Sequence, residues 1–265
     1  MTSGMKNLQD RVAIVTGAGG GFGEGIAKLF AERGAKVVVA DLRLEAAQGV
    51  AAAIRDAGGE AIAVLADVTQ NASVGAMVAA AVEAYGRLDI LVNNAGTTHK
   101  NRPMLEVDEA TFDRVYQTNV KSIYLGAVHA VPQFRRQAAA GQSKGKGGVI
   151  INIASTAGVR PRPGLSWYNG SKGAAINLTK GMAVELAPEG IRVCAVNPVM
   201  GATGLIQDFL PGEDSEETRA KIVATIPMGR LSTALDIAKA TAFLASDEAE
   251  FITGVALEVD GGRCI

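Results

Sequence analysis

The feature that most constrains the fold is a short apolar segment that runs directly into a cluster of glycines. Val12–Thr16 is β-branched and apolar, a helical pattern occupies Gly25–Arg33, and between them stand Gly17, Gly19, Gly20, Gly21 and Gly23. A strand, a glycine turn and a helix N-terminus form an anion site, because backbone N–H groups and the helix dipole face the ligand. The spacing is Gly-x-x-x-Gly-x-Gly rather than the Gly-x-Gly-x-x-Gly of the usual dinucleotide fingerprint, and a plain tight turn is the alternative.

Apolar segments like the first recur along the chain. Strands are predicted over Val37–Ala40, Ala61–Leu65, Ile90–Val92, Val149–Ile153, Val193–Val196 and Ala256–Val259. Because these segments are apolar on both faces, they are typical of a parallel sheet that helices cover on both sides. Helices are predicted over Leu44–Ala57, Ser73–Tyr85, Trp167–Ala187 and Leu235–Ala245. A further predicted helix is capped by Asp108 and runs through Asn119. The alternation predicts a doubly wound α/β fold.

Composition sets the remaining limits. The 265 residues show no shift in composition, so a single domain over 1–265 is expected, with an irregular insertion over about 201–228 that could be a substrate lid. The 26 basic and 27 acidic residues give a net charge of −1, which argues against nucleic acid as a partner. The sequence predicts no membrane span, no signal peptide and no cysteine metal site, and hence a cytoplasmic protein.

Acidic residues end two of the predicted strands, at the edge where ligands bind in such sheets. Asp41 stands 24 residues after Gly17, where its carboxylate can accept hydrogen bonds from both ribose hydroxyls of an adenosine and would repel a 2′-phosphate. NAD is therefore favoured over NADP, although Arg43 could pair with a phosphate. Asp67 and Val68 could contact adenine, and a strand-end cap is the alternative for Asp67.

Four polar residues form a candidate catalytic set. Tyr168 and Lys172 stand four residues apart on a predicted helix, so both side chains lie on one face. A phenol has a reference pKa of ~10, and a neighbouring ammonium with a cationic nicotinamide would favour its phenolate. Ser155, just past the fifth strand, can bond a substrate oxygen. Asn119, in mid-helix where an amide is otherwise unfavourable, could hold a water that links Lys172 to solvent.

Together these motifs resemble those of the short-chain dehydrogenase/reductase family, in the same order and over about residues 8–262. They are Thr16-Gly-x-x-x-Gly-x-Gly23, Asp67, Asn93-Asn-Ala-Gly96, Asn119, Ser155, Tyr168-x-x-x-Lys172 and Asn197-Pro198. The resemblance to the compact branch of the family implies a single-domain Rossmann fold with a seven-stranded parallel sheet and helices on both faces. It also implies NAD(P)-dependent oxidation or reduction of an alcohol/carbonyl pair, no metal for the chemistry, and a homotetramer.

The resemblance implies a role for each residue of the site. Tyr168 would be the general acid/base, Lys172 its pKa-lowering partner and ribose ligand, Ser155 the substrate orienter and Asn119 the relay. The expected coenzyme contacts are Gly17, Gly19, Gly20, Gly21, Phe22, Gly23, Asp41, Leu42, Asp67, Val68, Asn94, Ala95, Gly96, Tyr168, Lys172, Pro198 and Thr203. Val199 replaces the glycine that usually follows this proline, so the pocket backbone is expected to differ there.

Basic residues follow the fourth and fifth strands and suggest a substrate class. They are His99, Lys100, Arg102, Arg160 and Arg162, and Trp167 stands beside the tyrosine. One hypothesis is that this cluster attracts a carboxylate or sulfonate while the indole faces a ring. The alternatives are a solvated rim, subunit contacts and packing. The segments over 93–103 and 158–172 also resemble an alcohol dehydrogenase subgroup of aromatic sulfonate breakdown.

The sequence thus predicts an NAD-dependent oxidoreductase that acts on a small alcohol, ketone or aldehyde, with aromatic or anionic alcohols favoured. A 3-oxoacyl-(acyl-carrier-protein) reductase and a sugar dehydrogenase are the alternatives within the family. A basic residue in Gly17–Gly23, expected for an NADPH-dependent reductase, is absent. A non-catalytic dinucleotide-binding protein and a dehydratase or isomerase that retains NAD are the alternatives of other classes.

Overall fold

The computed structural model describes residues 6–142, 147–201, 206–210 and 215–265, with only the backbone for 206 and 207. Within them, seven parallel strands form one sheet in the order β3-β2-β1-β4-β5-β6-β7. The strands are β1 (Val12–Thr16), β2 (Lys36–Asp41), β3 (Glu60–Leu65), β4 (Ile90–Asn93), β5 (Val149–Ile153), β6 (Arg192–Pro198) and β7 (Ala256–Val259). The predicted doubly wound parallel sheet is confirmed.

Helices fill the connections between the strands. In the described segments they are α1 (Gly21–Glu32), α2 (Leu44–Asp56), α3 (Asn71–Tyr85), α4 (Glu109–Tyr116), α5 (Ser122–Ala139), α6 (Ser166–Leu186), α7 (Ile206–Phe209), α8 (Glu216–Val223) and α9 (Ala234–Ala245). A π-helical turn, Gln117–Lys121, joins α4 to α5. The Asp108 side chain accepts a hydrogen bond from the Thr111 amide, so it caps α4 as predicted.

Apolar clusters cover both faces of the sheet. Ala13 and Val15 of β1 pack into the cluster formed with α1, α2 and α9, whereas Val12 and Ile14 pack into the cluster formed with α3 and α5. Successive side chains of a strand point to opposite faces, and all five residues of β1 are buried. Double coverage explains the continuous apolar sequence of β1, and it leaves the carboxyl ends of the strands as the edge open to ligands.

Two predictions of local structure were wrong. Helix α1 begins at Gly21 rather than Gly25, so the second half of the glycine cluster forms its first turn. Glycines carry no apolar periodicity, and the sequence pattern therefore could not mark this start. The insertion predicted as irregular contains α7 and α8, which are too short and too polar to give a periodic pattern.

A chain of buried polar side chains ties the centre of the sheet to α6. The Asn93 amide donates to Oδ1 of Asn152 at 2.9 Å, and the Asn152 amide donates to Oγ1 of Thr179 at 2.9 Å. The Thr179 hydroxyl in turn donates to the carbonyl of Ala175 at 2.8 Å. Because buried polar groups need partners, this chain fixes the position of α6 against β5.

Replacing Thr179 with valine should therefore lower the free energy of unfolding by about 1–3 kcal/mol, since it removes the acceptor of a buried amide at nearly constant volume. Urea unfolding measures the change. Thr241→Val is the matched control, because the buried Thr241 hydroxyl donates to the Ile237 carbonyl of its own helix and no buried amide donates to it in the described part of the chain. Equal losses in the two variants would contradict the argument.

Candidate active site

The glycine loop after β1 forms a cradle at the N-terminus of α1. Gly17 and Gly21 have φ values of 61° and 58°, in the left-handed region that favours glycine. A Cβ on Gly23 would lie 2.3 Å from the carbonyl oxygen of Gly17, so a side chain there would clash with the loop backbone and displace the loop from α1. A Cβ on Gly20 would meet no atom within 4 Å, which leaves open space in front of the helix N-terminus. The loop can therefore admit an anion.

The side chain of Asn94 anchors this loop to the end of β4. Its Nδ2 donates to the carbonyl oxygens of Thr16 at 2.8 Å and Gly17 at 3.1 Å. The Thr16 hydroxyl accepts from the amides of Asn94 and Ala95, each at 3.0 Å. The first and fourth strand ends are thereby held in one arrangement.

Asp41 is the last residue of β2 and contacts the glycine loop. Its Oδ2 accepts from the Gly19 amide at 2.9 Å, and its Oδ1 accepts from the Arg43 amide at 2.9 Å. Each carboxylate oxygen retains a second lone pair for a ligand hydroxyl. The Arg43 guanidinium lies 3.7 Å from Oδ1 with its side chain 74% exposed, as expected of a solvated charge at the start of a helix.

A cavity of about 570 Å³ connects this loop to Ser155, Tyr168 and Lys172, whereas Asn119, the fourth candidate catalytic residue, does not line it. Its lining comprises Gly17, Gly20, Gly21, Phe22, Asp41, Arg43, Asn94, Ala95, Gly96, Thr97, Ile153, Ala154, Ser155, Ala157, Arg162, Tyr168, Lys172, Pro198, Val199, Met200, Gly201 and Phe209. The expected coenzyme residues Gly19, Gly23, Leu42, Asp67 and Val68 do not line it. Oδ1 of Asp67 accepts from the amide and hydroxyl of Thr69, the strand-end arrangement that was its alternative. Thr203 lies outside the described residues.

The π-helical turn carries Asn119 toward the cavity. Its Oδ1 accepts from the Thr97 amide at 2.9 Å, and its Nδ2 donates to the Thr97 carbonyl at 2.8 Å and to Oγ of Ser171 at 3.0 Å. The Ser171 hydroxyl donates to the carbonyl of Tyr168 at 2.7 Å. Asn119 is thus bound to both the loop after β4 and helix α6.

Lys172 is buried one turn beyond Tyr168 on α6. Its Nζ donates to the carbonyl oxygen of Ile153, the last residue of β5, at 2.9 Å. Burial lowers the pKa of this ammonium from 10.5 to about 8. An atom built on Gly96 would lie 3.4 Å from both Nζ of Lys172 and Oδ1 of Asn119, so the two polar groups flank the same small space.

Tyr168 is 7% exposed and lies 5.9 Å from Nζ of Lys172, measured to the centre of its ring. Burial raises the pKa of this phenol, while the hydroxyl of Ser155 and the charge of Arg162 lower it. The Ser155 hydroxyl also accepts from the Ala157 amide at 3.1 Å, which orients it at the end of β5. The predicted lowering of the pKa of Tyr168 by Lys172 stays a prediction.

Of the six residues on which the substrate hypothesis rested, only Arg162 lines the cavity. His99 is 3% exposed, and its Nδ1 contacts the carbonyl oxygen of Lys100 at 2.9 Å. Arg160 donates to the carbonyl oxygen of Arg263 at 2.6 Å. Trp167 donates to the carbonyl oxygen of Met104 at 3.0 Å, in agreement with its packing alternative.

Two residues that contact the candidate catalytic set were not identified from the sequence. The ring of Phe209 packs edge-on against Tyr168, with centroids 5.1 Å apart, but it comes from the insertion, where no pattern marks it. Ser171 bridges Asn119 and Tyr168 and could have been found from its place three residues after the tyrosine on the same helix. Val199 lines the cavity where the family usually has glycine.

The described residues contain neither a cluster of three metal-binding side chains nor a helix of the length and hydropathy needed to cross a bilayer.

Comparison with known proteins gives matches along nearly the whole chain. A family model described as enoyl-(acyl carrier protein) reductase matches residues 17–263. The 4-formylbenzenesulfonate dehydrogenase of Comamonas testosteroni is 51% identical, over 98% of this chain and 100% of the relative. The cis-4-hydroxycyclohexanecarboxylate dehydrogenase of Sinomonas cyclohexanicum is 42% identical, over 96% of each chain.

Two solved structures are equally similar in fold. A 3-ketoacyl-(acyl-carrier-protein) reductase from Brucella melitensis complexed with NADH has a TM-score of 0.88 and 48% identity, over 97% of this chain and 100% of that one. A short-chain type dehydrogenase/reductase from Mycobacterium marinum has a TM-score of 0.88 and 35% identity, over 98% and 97%.

The burial of Lys172 predicts a particular dependence of stability on pH. Between pH 8 and 10.5 the unfolded chain keeps the Lys172 proton that the folded chain has lost, so the free energy of unfolding rises with pH. Over this window the free energy of unfolding of the wild type should rise by up to about 3 kcal/mol relative to that of Lys172→Met, as measured by urea unfolding. Lys180→Met, at an exposed position of the same helix, is the control. A difference between wild type and Lys172→Met that stays constant with pH would contradict the assignment.

Proposed function

The chain belongs to the short-chain dehydrogenase/reductase family, and we propose that it catalyses NAD-dependent hydride transfer between nicotinamide and the carbon of an alcohol/carbonyl pair. The observation that carries this proposal is the convergence of Ser155, Tyr168 and Lys172 on one cavity whose other end is the glycine loop. A protein that only binds a dinucleotide has no use for these three side chains beside Asn119.

The residues at the loop end fit NAD. The open space before Gly20 and the N-terminus of α1 suit a pyrophosphate, because unpaired backbone amides and the helix dipole favour negative charge there. Asp41 can accept from ribose hydroxyls and would repel the 2′-phosphate of NADP. The related Brucella melitensis reductase was solved with NADH, which supports the same choice.

The nicotinamide half of the coenzyme would contact residues in the middle of the cavity. Ala95, Gly96 and Pro198 line the cavity between the loop and Tyr168, where the nicotinamide half would lie. Val199 adds a branched side chain to this wall, at a position where the family usually has glycine. Its amide donates to the Val259 carbonyl at 3.3 Å, which fixes the backbone of the wall.

When bound, the coenzyme would accept the hydride as NAD in oxidation or donate it as NADH in reduction, and the protein would supply the acid–base chemistry. In alcohol oxidation the Tyr168 phenolate takes the hydroxyl proton as the hydride leaves carbon, and in carbonyl reduction its phenol returns that proton. The Ser155 hydroxyl orients the substrate oxygen toward Tyr168. The Lys172 ammonium favours the phenolate and binds the nicotinamide ribose, and Asn119 connects Lys172 to the proton relay.

The substrate we propose is a ring-bearing alcohol or the corresponding carbonyl compound. Phe209 and Ala157 give the substrate end of the cavity an apolar wall beside Tyr168. The substrates named for two relatives, 4-formylbenzenesulfonate and cis-4-hydroxycyclohexanecarboxylate, each combine a six-membered ring with an anionic group. These names support the same class here.

A 3-oxoacyl-(acyl-carrier-protein) reductase is the second candidate, because the Brucella melitensis relative carries the equivalent name. Comparing turnover of a 3-oxoacyl thioester with turnover of ring-bearing alcohols separates the two. Faster turnover of the thioester would favour the second candidate.

The organisation of the chain completes the proposal. Residues 1–265 would form one domain, with 201–228 as a lid. Two contacts support the lid: the carbonyl of Asp208 accepts from the Asn101 amide at 3.0 Å, and Phe209 covers Tyr168.

A homotetramer is supported by Tyr124 and Val128, which stand exposed one turn apart on α5. The cytoplasmic location stays a prediction.

Replacing Tyr168 with phenylalanine should lower kcat by about 100-fold or more, because general acid–base catalysis contributes at least this much. NADH affinity, measured by fluorescence, should change less than about threefold. Tyr85→Phe is the control, since Tyr85 ends α3 and does not line the cavity. Near-normal turnover by Tyr168→Phe on a panel of aromatic and aliphatic alcohols would reject the assignment.

Replacing Asp41 with asparagine should reduce the preference for NAD over NADP in kcat/KM about tenfold or more, because the repelling charge is gone while the side-chain shape is kept. Asp67→Asn is the control: Asp67 follows the neighbouring strand β3 without lining the cavity, and its Oδ1 accepts from the amide and hydroxyl of Thr69, so the ratio should hold. An unchanged ratio in Asp41→Asn would show that this carboxylate does not face the ribose.

A further inference from the structure

Two arginines of the loop between β5 and α6 differ in where their charge lies. Arg160 is exposed, points at the carbonyl oxygen of Arg263 and does not line the cavity. Arg162 is partly buried and lines the cavity together with Tyr168 and Phe209. The carbonyl of Arg162 accepts from the side-chain amide of Asn169 at 2.8 Å, which holds the residue at the entrance to α6.

The guanidinium of Arg162 has no carboxylate partner among the residues that the structure describes. The ionisable groups that interact with it are Arg263, Tyr168 and Cys264, and burial raises the pKa of the last two, so neither offers it a negative charge near neutral pH. Burial and the like charge of Arg263 lower the pKa of Arg162, and no carboxylate of the described residues compensates this cation. A partly buried arginine is normally stabilised by a bidentate anion, and Arg162 lines the cavity, which an anion could enter.

We infer that Arg162 is the receptor for an anionic group of the substrate, a sulfonate or a carboxylate carried on the ring away from the reacting carbon. The inference rests on the proposed function, because it places this anion in the cavity that holds the reacting alcohol. The planar fork of the guanidinium matches the oxygens of such a group, whereas the compact ammonium of a lysine does not. Arg263 adds a second positive charge to the same region.

Binding of an unreactive pair of ligands tests this without relying on turnover. Toluene-4-sulfonate carries the anion, and methyl 4-tolyl sulfone has nearly the same shape without charge. Calorimetric titration of the protein–NADH complex should show tighter binding of the sulfonate to the wild type. Arg162→Ala should weaken sulfonate binding about 10- to 100-fold while binding of the sulfone changes less than about threefold.

Two further variants control for charge and folding. Arg160→Ala removes the same charge from the same loop outside the cavity, so the sulfonate-to-sulfone ratio should match the wild type. Arg162→Lys keeps a positive charge without the fork and should give an intermediate ratio. Each variant is compared at unchanged NADH affinity, and Arg162→Lys replaces Arg162→Ala in the comparison if the alanine variant does not fold.

A second arm measures catalysis. With 4-(hydroxymethyl)benzenesulfonate and 4-(methylsulfonyl)benzyl alcohol, Arg162→Ala should lose kcat/KM for the charged alcohol, mainly through KM. Equal losses of kcat/KM for both alcohols would show that Arg162 acts only through Tyr168 and would overturn the inference. The inference would also be overturned if the wild type did not bind the sulfonate, or if Arg162→Ala bound it as tightly as the wild type. Binding of the sulfonate that depends on Arg162 without turnover of any alcohol would support the inference and reject the proposed function.

Discussion

The site depends on an ammonium that the fold keeps out of water. Lys172 is 5% exposed, and its Nζ donates to the carbonyl oxygen that ends β5. Burial of this charge costs stability, as the lowered pKa of about 8 records. The surrounding structure is arranged to tolerate it: Gly96 leaves room beside the ammonium, and the Asn119 carbonyl oxygen faces the same space. The stability lost here keeps a proton donor next to Tyr168.

Hydrogen bonds convert separate elements into one catalytic unit. Asn119 uses both donor positions of its amide, on Thr97 and Ser171, and one lone pair of its oxygen on the Thr97 amide. Its second lone pair is left for a water, as the proposed proton relay requires. Because Ser171 also bonds the backbone of Tyr168, a displacement of the π-helical turn would be transmitted to the tyrosine as well as to the relay.

The sequence predicted those parts of the molecule whose positions follow from a regular period. The strand–glycine–helix order, the pairing of Tyr168 with Lys172 and the place of Asp41 all come from elements with fixed geometry. The loop residues behaved differently. Nothing in the order Arg-Pro-Arg sets which side chain turns inward, and the structure sends Arg162 to the cavity and Arg160 to the C-terminal segment. Phe209 reaches Tyr168 only through tertiary packing of the insertion.

The backbone hydrogen bond from Asn101 to Asp208 joins the loop after β4 to the described part of the insertion that carries Phe209. The neighbouring ring of Phe209 packs edge-on against Tyr168 and lines the cavity. Local opening at such a bond requires far less free energy than global unfolding. Opening there would uncover Tyr168 while the glycine loop, held to the end of β4 by Asn94, stays in place.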